Sequence, residues 1–292
     1  MNWKEVAKVR TRLAVVVSLL MLAACGDSAP GDPGSAPPTL EERAAAFDDP
    51  EVARIWTRMM ETIAPDDGWT RARYLEFHWA VARDEGDPLV REHAWDRWEG
   101  RARVEAPAEG GRMVAIFDTD DPTSGQVWID GVELTGSEAE ERLMGAYRSH
   151  INDAYWLIMP YKWEDPGVNL RYAGHQTDDE GLEWEVVELT FESVGLTPQN
   201  MYRAFINPES GRMERWHFLS TPDANPSPSD WTDWQRFGPI ELAVNRRVNG
   251  TPRIFFPHLR VETSVPSGAF APPEAPESAT EEDEGDSETG EP

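Results

Sequence analysis

Alternating apolar and polar residues in the middle of the chain predict the strands of a sheet. In residues 73–81, Leu75, Phe77, Trp79 and Val81 occupy every second position, which is the period of a strand with one buried side. Comparable segments predict further strands at 91–98, 101–106, 112–118, 126–134, 168–174, 182–191, 200–206, 212–219, 234–246 and 252–264.

Apolar residues at helical spacing predict one or two helices before the first strand. Ile55, Met59 and Ile63 recur at every fourth position within residues 40–64. Asp49 is followed by Pro50, and this order is typical of an N-cap and the first helical residue.

A second helix is predicted in the middle of the chain. Ser137 and Glu140 have the spacing of a capping box, which marks a helix start. Leu143 and Ile158 lie on one apolar face, and Pro160 follows the predicted end.

Two short segments with the pattern Asx-Pro-x-Ser-Gly predict hairpin loops. They are Asp121–Gly125 and Asn207–Gly211, and each lies between two alternating runs. Glu164–Gly167 predicts a third turn. Helix, strands, helix and strands follow one another without βαβ alternation, so the sequence predicts an α+β fold with one large curved antiparallel sheet and helices on one face.

The first residues predict export and lipidation. Four basic residues precede a 12-residue apolar segment that is too short to span a bilayer, a pattern typical of a signal peptide over residues 1–24. Leu22–Cys25 resembles the lipobox of bacterial lipoproteins, which implies cleavage before Cys25 and a lipid anchor on it. The alternative is an ordinary signal peptide. Gly26 in place of Asp favours the outer membrane by the same resemblance, with the domain in the periplasm or at the cell surface.

Composition divides the mature chain into three parts. Residues 25–39 are rich in Pro, Gly and Ser and predict a disordered tether that carries the lipidated Cys25. The folded domain is predicted over residues 40–270. Residues 271–292 contain nine acidic residues and no basic one, and they predict a disordered acidic tail.

Charge and cysteine content exclude several classes of function. The net charge of −27 argues against a nucleic-acid partner. Cys25 is the only cysteine, so no intramolecular disulfide is predicted.

No catalytic or metal-binding motif is evident in the sequence. The six histidines are scattered without zinc-site spacing, and Asp118–Asp121 lacks the later ligands of a calcium loop. The sequence therefore predicts no cofactor, no metal and no catalytic residue, and a non-enzymatic protein; an unrecognised hydrolase is the least favoured alternative.

Three segments resemble the superfamily of LolA, LolB and RseB, and within it a branch of bacterial lipoproteins of similar length. They are Tyr155–Leu157 before Pro160, Phe205–Trp216 and Val265–Phe270. The resemblance implies a half-open β-barrel whose concave, apolar face is covered by helices. Members of the superfamily bind acyl chains there or share the fold without a known ligand.

Large apolar residues on the concave face are the candidates for lining such a cleft. The leading hypothesis is a lipid-anchored envelope protein whose cleft binds an acyl chain or another apolar ligand. The alternatives are that the same residues simply fill the core, and that the fold acts as an envelope scaffold with an unidentified protein partner. The candidates are Leu75, Phe77, Trp79, Trp128, Trp184, Val186, Phe205, Trp216, Phe218, Phe255 and Phe256.

Overall fold

The structure, a computed structural model, describes residues 38–192 and 196–275. Thirteen strands form one antiparallel sheet in these residues. The strands are β1 (Tyr74–Val81), β2 (Leu89–Asp96), β3 (Arg101–Ala108), β4 (Gly111–Asp118), β5 (Gln126–Ile129), β6 (Val132–Glu133), β7 (Val168–Thr177), β8 (Glu183–Phe191), β9 (Met201–Ile206), β10 (Met213–Leu219), β11 (Ser227–Phe237), β12 (Ile240–Val248) and β13 (Thr251–Glu262).

The sheet consists of two consecutive meanders joined at one seam. Strands β1 to β6 pair in sequence order, as do β7 to β13, and β1 pairs with β13 between them. Strands β6 and β7 remain as the two edges, so the curved sheet is not closed. The predicted α+β fold with a half-open barrel is confirmed.

Four α-helices accompany the sheet within the described ranges: α1 (Leu40–Ala44), α2 (Pro50–Ile63), α3 (Gly68–Arg71) and α4 (Gly136–Ile158). Asp49 caps α2 by accepting hydrogen bonds from the backbone of Glu51 and Val52, as predicted. Helix α4 connects the two meanders and contacts β3, β4, β5 and β12, whereas α2 contacts β7 and β12. We call this side of the sheet the covered face and the opposite side the outer face.

The start of α4 differs from the prediction. The helix begins at Gly136, and Thr135 is its N-cap. Ser137 therefore lies inside the first turn, and the predicted capping box with Glu140 is wrong. Gly136 has a φ of +68°, a conformation that a glycine adopts readily, and this lets the chain enter the helix earlier.

Two predicted strands are each divided by a turn. Residues 126–134 contain β5 and β6, separated at Asp130 and Gly131, which both have positive φ. Residues 234–246 contain the end of β11 and most of β12, separated at Gly238 and Pro239. The predicted loops Asp121–Gly125 and Asn207–Gly211 do join antiparallel partners, β4 with β5 and β9 with β10.

The main core lies between the helices and the covered face, and two smaller clusters lie apart from it. One contains Val114, Ile116 and Trp128, against which Phe270 packs. The other contains Trp184, Val186 and Phe205.

The described part of the chain contains no helix long and apolar enough to cross a bilayer. The predicted signal peptide, the lipidation of Cys25 and nearly all of the tether precede residue 38 and lie outside the described residues. Most of the predicted acidic tail also lies outside them, after residue 275.

Candidate ligand cleft

A half-open apolar cleft lies between the second half of α4 and strands β8 to β10. It encloses about 340 Å³, which falls within the range of roughly 300–1,000 Å³ for small-ligand sites. Its lining residues are Ile151, Asn152, Tyr155, Trp156, Phe191, Leu196, Thr197, Asn200, Tyr202 and Phe218.

Strand register brings the aromatic lining together. Phe218 of β10 pairs directly with Tyr202 of β9, and their ring centroids are 5.4 Å apart. Tyr155 approaches from α4 and lies 5.3 Å from the ring of Tyr202. Phe191, at the end of β8, lies 5.9 Å from the same ring. Tyr202 is thus the centre of an aromatic surface built from three strands and one helix.

The described lining residues carry no charge. Polar groups come from Asn152, Thr197 and Asn200, and the amide of Asn200 donates to the hydroxyl of Thr197 at 2.6 Å. Burial raises the pKa of Tyr202 to about 12, so this phenol remains neutral at physiological pH. The cleft therefore suits an apolar group better than an ion.

Trp216 supports the cleft from below. Its ring lies 4.3 Å from that of Trp156, 4.9 Å from that of Tyr202 and 5.2 Å from that of Trp231. Arg246 stacks on Trp231 at 3.4 Å. Burial holds the pKa of this guanidinium well below its ordinary value.

A buried polar network fixes the middle of α4 on the other half of the sheet. Arg91 of β2 donates two hydrogen bonds to Asp153 of α4, at 2.6 and 2.7 Å, and Nε2 of His93 lies 3.0 Å from the same carboxylate. Burial raises the pKa of Asp153, but the hydrogen bonds from Arg91 and His93 outweigh it and hold that pKa below its ordinary value. Burial lowers the pKa of the neighbouring His150 to about 3.

Six of the predicted cleft residues do lie on the covered side. Of these, Phe218 lines the cleft. The others are buried in the main core beneath the helices, where Phe77 has no exposed surface and Trp216 has 1%. The five core residues are Leu75, Phe77, Trp79, Trp216 and Phe256.

Trp128 was predicted to lie on the concave face, but it lies on the outer face. It pairs with Val114 of β4, and both belong to a cluster separate from the main core. The adjacent residues Ala115 and Val127 belong to the main core. Because side chains alternate along a strand, Trp128 points away from the helices.

The same alternation corrects the placement of three further candidates. Trp184, Val186 and Phe205 form their own cluster, while Val187 and Leu189 of β8 pack in the main core. These three candidates therefore lie on the outer face.

Phe255 lies on the outer face as well. Its neighbours Ile254 and Phe256 both pack with the main core, and Phe255 pairs with Ala80. Alternation along β13 turns the ring of Phe255 away from that core.

Most of the residues that line this cleft are not among those predicted from the sequence. A signal was available for Tyr202, because the predicted hairpin Asn207–Gly211 places it opposite Phe218. Tyr155 and Trp156 belong to a segment that carried the family resemblance. The loop residues Leu196 and Thr197 give no periodic signal.

Several solved structures are similar to this chain at low sequence identity. A DUF1329 family protein from Desulfovibrio piger is 12% identical, with a TM-score of 0.40 over 74% of this chain and 94% of that chain. A putative outer membrane lipoprotein-sorting protein domain from Vibrio parahaemolyticus is 9% identical, with a TM-score of 0.37 over 76% and 95%.

No protein-family model matches the chain, and no curated protein matches it. A LolA superfamily protein from Nitrosomonas europaea is 12% identical, with a TM-score of 0.39 over 74% of this chain and 96% of that chain.

Proposed function

We propose that this chain is a non-enzymatic, lipid-anchored envelope protein whose cleft beneath α4 binds an acyl chain or a similar apolar ligand. The observation that carries this proposal is the uncharged aromatic lining around Tyr202, between α4 and β8 to β10. An acyl chain would gain about 0.8 kcal/mol for each methylene group removed from water, and no buried charge would oppose its entry.

The anchor part of the proposal rests on Cys25 and the short apolar segment before it. Metabolic labelling with a palmitate analogue in a bacterial host tests this part. Label in the membrane fraction that is lost in Cys25→Ser supports the anchor, whereas an unlabelled, secreted wild-type protein refutes it.

The ligand part is tested on the mature chain with Cys25→Ser, purified without detergent. We expect mass spectrometry under native conditions to detect a co-purified lipid. We also expect the delipidated protein to bind a fluorescent fatty acid with saturation at one site. Failure of both measurements would refute acyl binding.

A scaffold role is the second candidate function. It is favoured because the protein's own side chains fill the covered face outside the cleft. Phe77 and Trp216 are almost completely buried by packing within the protein. A stable protein partner recovered from envelope extracts, together with no acyl binding, would favour the scaffold over the carrier.

A further inference from the structure

One arginine lies on the face of α4 that lines the cleft. The helix contributes four residues to the lining, Ile151, Asn152, Tyr155 and Trp156. Because successive residues of a helix are rotated by about 100°, these four side chains share one face. Arg148 precedes Asn152 by four residues and therefore lies on the same face, one turn closer to the start of the helix. This places Arg148 beside the end of the cleft that is nearest to the start of α4.

Arg148 forms no ion pair with any carboxylate in the described part of the chain. Within a helix, an arginine pairs with residues three or four positions away. At Arg148 these positions are uncharged, namely Met144, Gly145, Ile151 and Asn152. The side chain of Arg148 is also exposed, so the donors of its guanidinium are accessible to a ligand.

The helix surface beside Arg148 is open. Gly145 lies three residues before it, and apart from its chain neighbours and the helix backbone, no atom lies within 4 Å of the place that a Cβ at Gly145 would take. Asn152 is exposed, whereas Tyr155 and Trp156 are half-buried. Along α4 the cleft thus begins with polar groups in solvent and continues with aromatic rings.

We propose that Arg148 binds the anionic head group of an amphiphile whose apolar tail occupies the cleft. This inference rests on the proposed function and adds the class of ligand, a lipid with a carboxylate or phosphate head. A guanidinium can donate two parallel hydrogen bonds to either group. The cation at one end of an uncharged aromatic lining matches the order of head and tail in such a ligand.

The charge of the whole chain gives Arg148 a specific role. A net charge of −27 repels anions from most of the surface. An anionic head group can therefore approach the cleft only where a local positive charge is not neutralised by a neighbouring carboxylate. Arg148 supplies such a charge.

Isothermal calorimetry on the mature chain with Cys25→Ser tests the inference with three ligands that share one tail: decanoate, decyl phosphate and decanol. At low ionic strength we expect the two anions to bind more tightly than the alcohol. Arg148→Gln should weaken the binding of at least one anion by about five-fold, which corresponds to about 1 kcal/mol, and should leave the affinity for decanol unchanged. The anion that loses more affinity identifies the preferred head group.

Arg142→Gln is the matched control. Arg142 lies on another face of the same helix, 3.6 Å from Glu138, so its replacement should change none of the three affinities. Salt provides a further readout, because an exposed ion pair is screened. The five-fold effect of Arg148→Gln should shrink when the NaCl concentration rises from about 20 mM to about 500 mM. Circular dichroism checks that both variants are folded.

The three ligands separate a failure of this inference from a failure of the proposed function. If decanol binds the wild type as tightly as both anions do, the inference is overturned while acyl binding stands. Equal losses for decanol and the anions in Arg148→Gln would also overturn it, because they would indicate a structural role. If none of the three ligands binds the wild type, the proposed acyl binding fails and the inference fails with it.

Discussion

Arg246 donates a hydrogen bond from Nε to the carbonyl oxygen of Trp156 at 2.9 Å, and this contact joins β12 to the last turn of α4. Nη1 of the same group donates to the carbonyl oxygen of Ala243 at 2.9 Å, and the guanidinium stacks on Trp231. Carbonyl groups and an indole ring therefore replace water around a buried cation. Because Trp156 also lines the cleft, the hydrogen bonds of Arg246 hold this side of the cleft in place against the sheet.

We expect Arg246→Met to lower the free energy of unfolding by about 2 kcal/mol, because the carbonyl group of Trp156 loses the donor that the buried Arg246 provides. Urea denaturation of the mature chain measures this change. Arg247→Met is the control: Arg247 is one-third exposed and bonds to Thr232 and Asp233, so its loss should cost less than about 1 kcal/mol. Equal effects of the two substitutions would contradict the role assigned to Arg246.

Local sequence patterns were sufficient to predict the two long helices and most of the strands of this fold. The spacing of Ile55, Met59 and Ile63 identified α2 because helical periodicity depends on residues that are neighbours in sequence. The loop Asn207–Gly211 identified a hairpin because turn geometry is set by the residues of the turn itself. The same reasoning put the start of α4 at Ser137, since it gave no weight to Gly136.

The face of each strand could not be predicted in the same way. Alternation separates the residues of a strand into two sets, but it does not identify the set that the helices cover. Trp128 was misplaced because Phe270, far away in sequence, gives the outer face an apolar cluster of its own. The cleft depends on the approach of Tyr155 to Tyr202, and no local pattern encodes that long-range contact.

Acid should destabilise the protein through His150. Its pKa is about 3 in the folded state and about 6.5 in an unfolded chain, so as the pH falls below 6.5 the unfolded state takes up a proton that the folded state excludes. The stabilisation is complete above about pH 6.5 and is lost progressively toward about pH 3. Between pH 7 and pH 5 we expect this residue alone to lower the free energy of unfolding by about 2 kcal/mol.

The variant His150→Gln isolates this effect. Urea denaturation at pH 7, 6 and 5 should show a weaker pH dependence than in the wild type. The pH dependence that remains in His150→Gln includes the contribution of His93, whose pKa is also lowered by burial. His175→Gln, on the exposed surface of β7, serves as the control. An undiminished pH dependence in His150→Gln would refute the assignment.

The ion pair of Arg91 with Asp153 should contribute strongly to the docking of α4. Asp153→Ala leaves Arg91 and His93 without the carboxylate to which both now bond, and we expect a loss of about 3–5 kcal/mol. A double-mutant cycle with Arg91→Met and Asp153→Ala should give a coupling energy above about 1 kcal/mol.

The pair Glu138 and Arg142 on the same helix is more exposed and provides the comparison for this cycle. The charged groups are 3.6 Å apart, and the side chains of Glu138 and Arg142 are 64% and 31% exposed, so their coupling should stay below about 0.5 kcal/mol. Comparable coupling energies for the two pairs would show that burial does not strengthen the interaction between Arg91 and Asp153.

Phe218 tests the cleft directly. Phe218→Glu places a carboxylate among the uncharged lining residues, so we expect affinity for a fluorescent fatty acid to fall by at least about ten-fold. Phe255→Glu makes the same change at a half-buried phenylalanine of the outer face and should leave the affinity intact. If both variants bind the probe as the wild type does, the acyl chain does not occupy this cleft.

The segment after β13 should depend on Phe270 for its attachment to the outer face. This ring packs against Val114, Ile116 and Trp128, and the guanidinium of Arg101 lies 5.7 Å from its centroid. Phe270→Ala removes a half-buried ring, so we expect a loss of about 1–2 kcal/mol, less than for a fully buried phenylalanine.

Limited proteolysis provides a local measurement of the same change, because a segment released from the sheet is cleaved more readily. Residues 264–275 should be cleaved faster in Phe270→Ala than in Ser267→Ala, which alters an exposed residue of the same segment. Equal cleavage rates would mean that backbone contacts, such as the hydrogen bond from Arg103 to the carbonyl oxygen of Ala271, hold the segment without the ring.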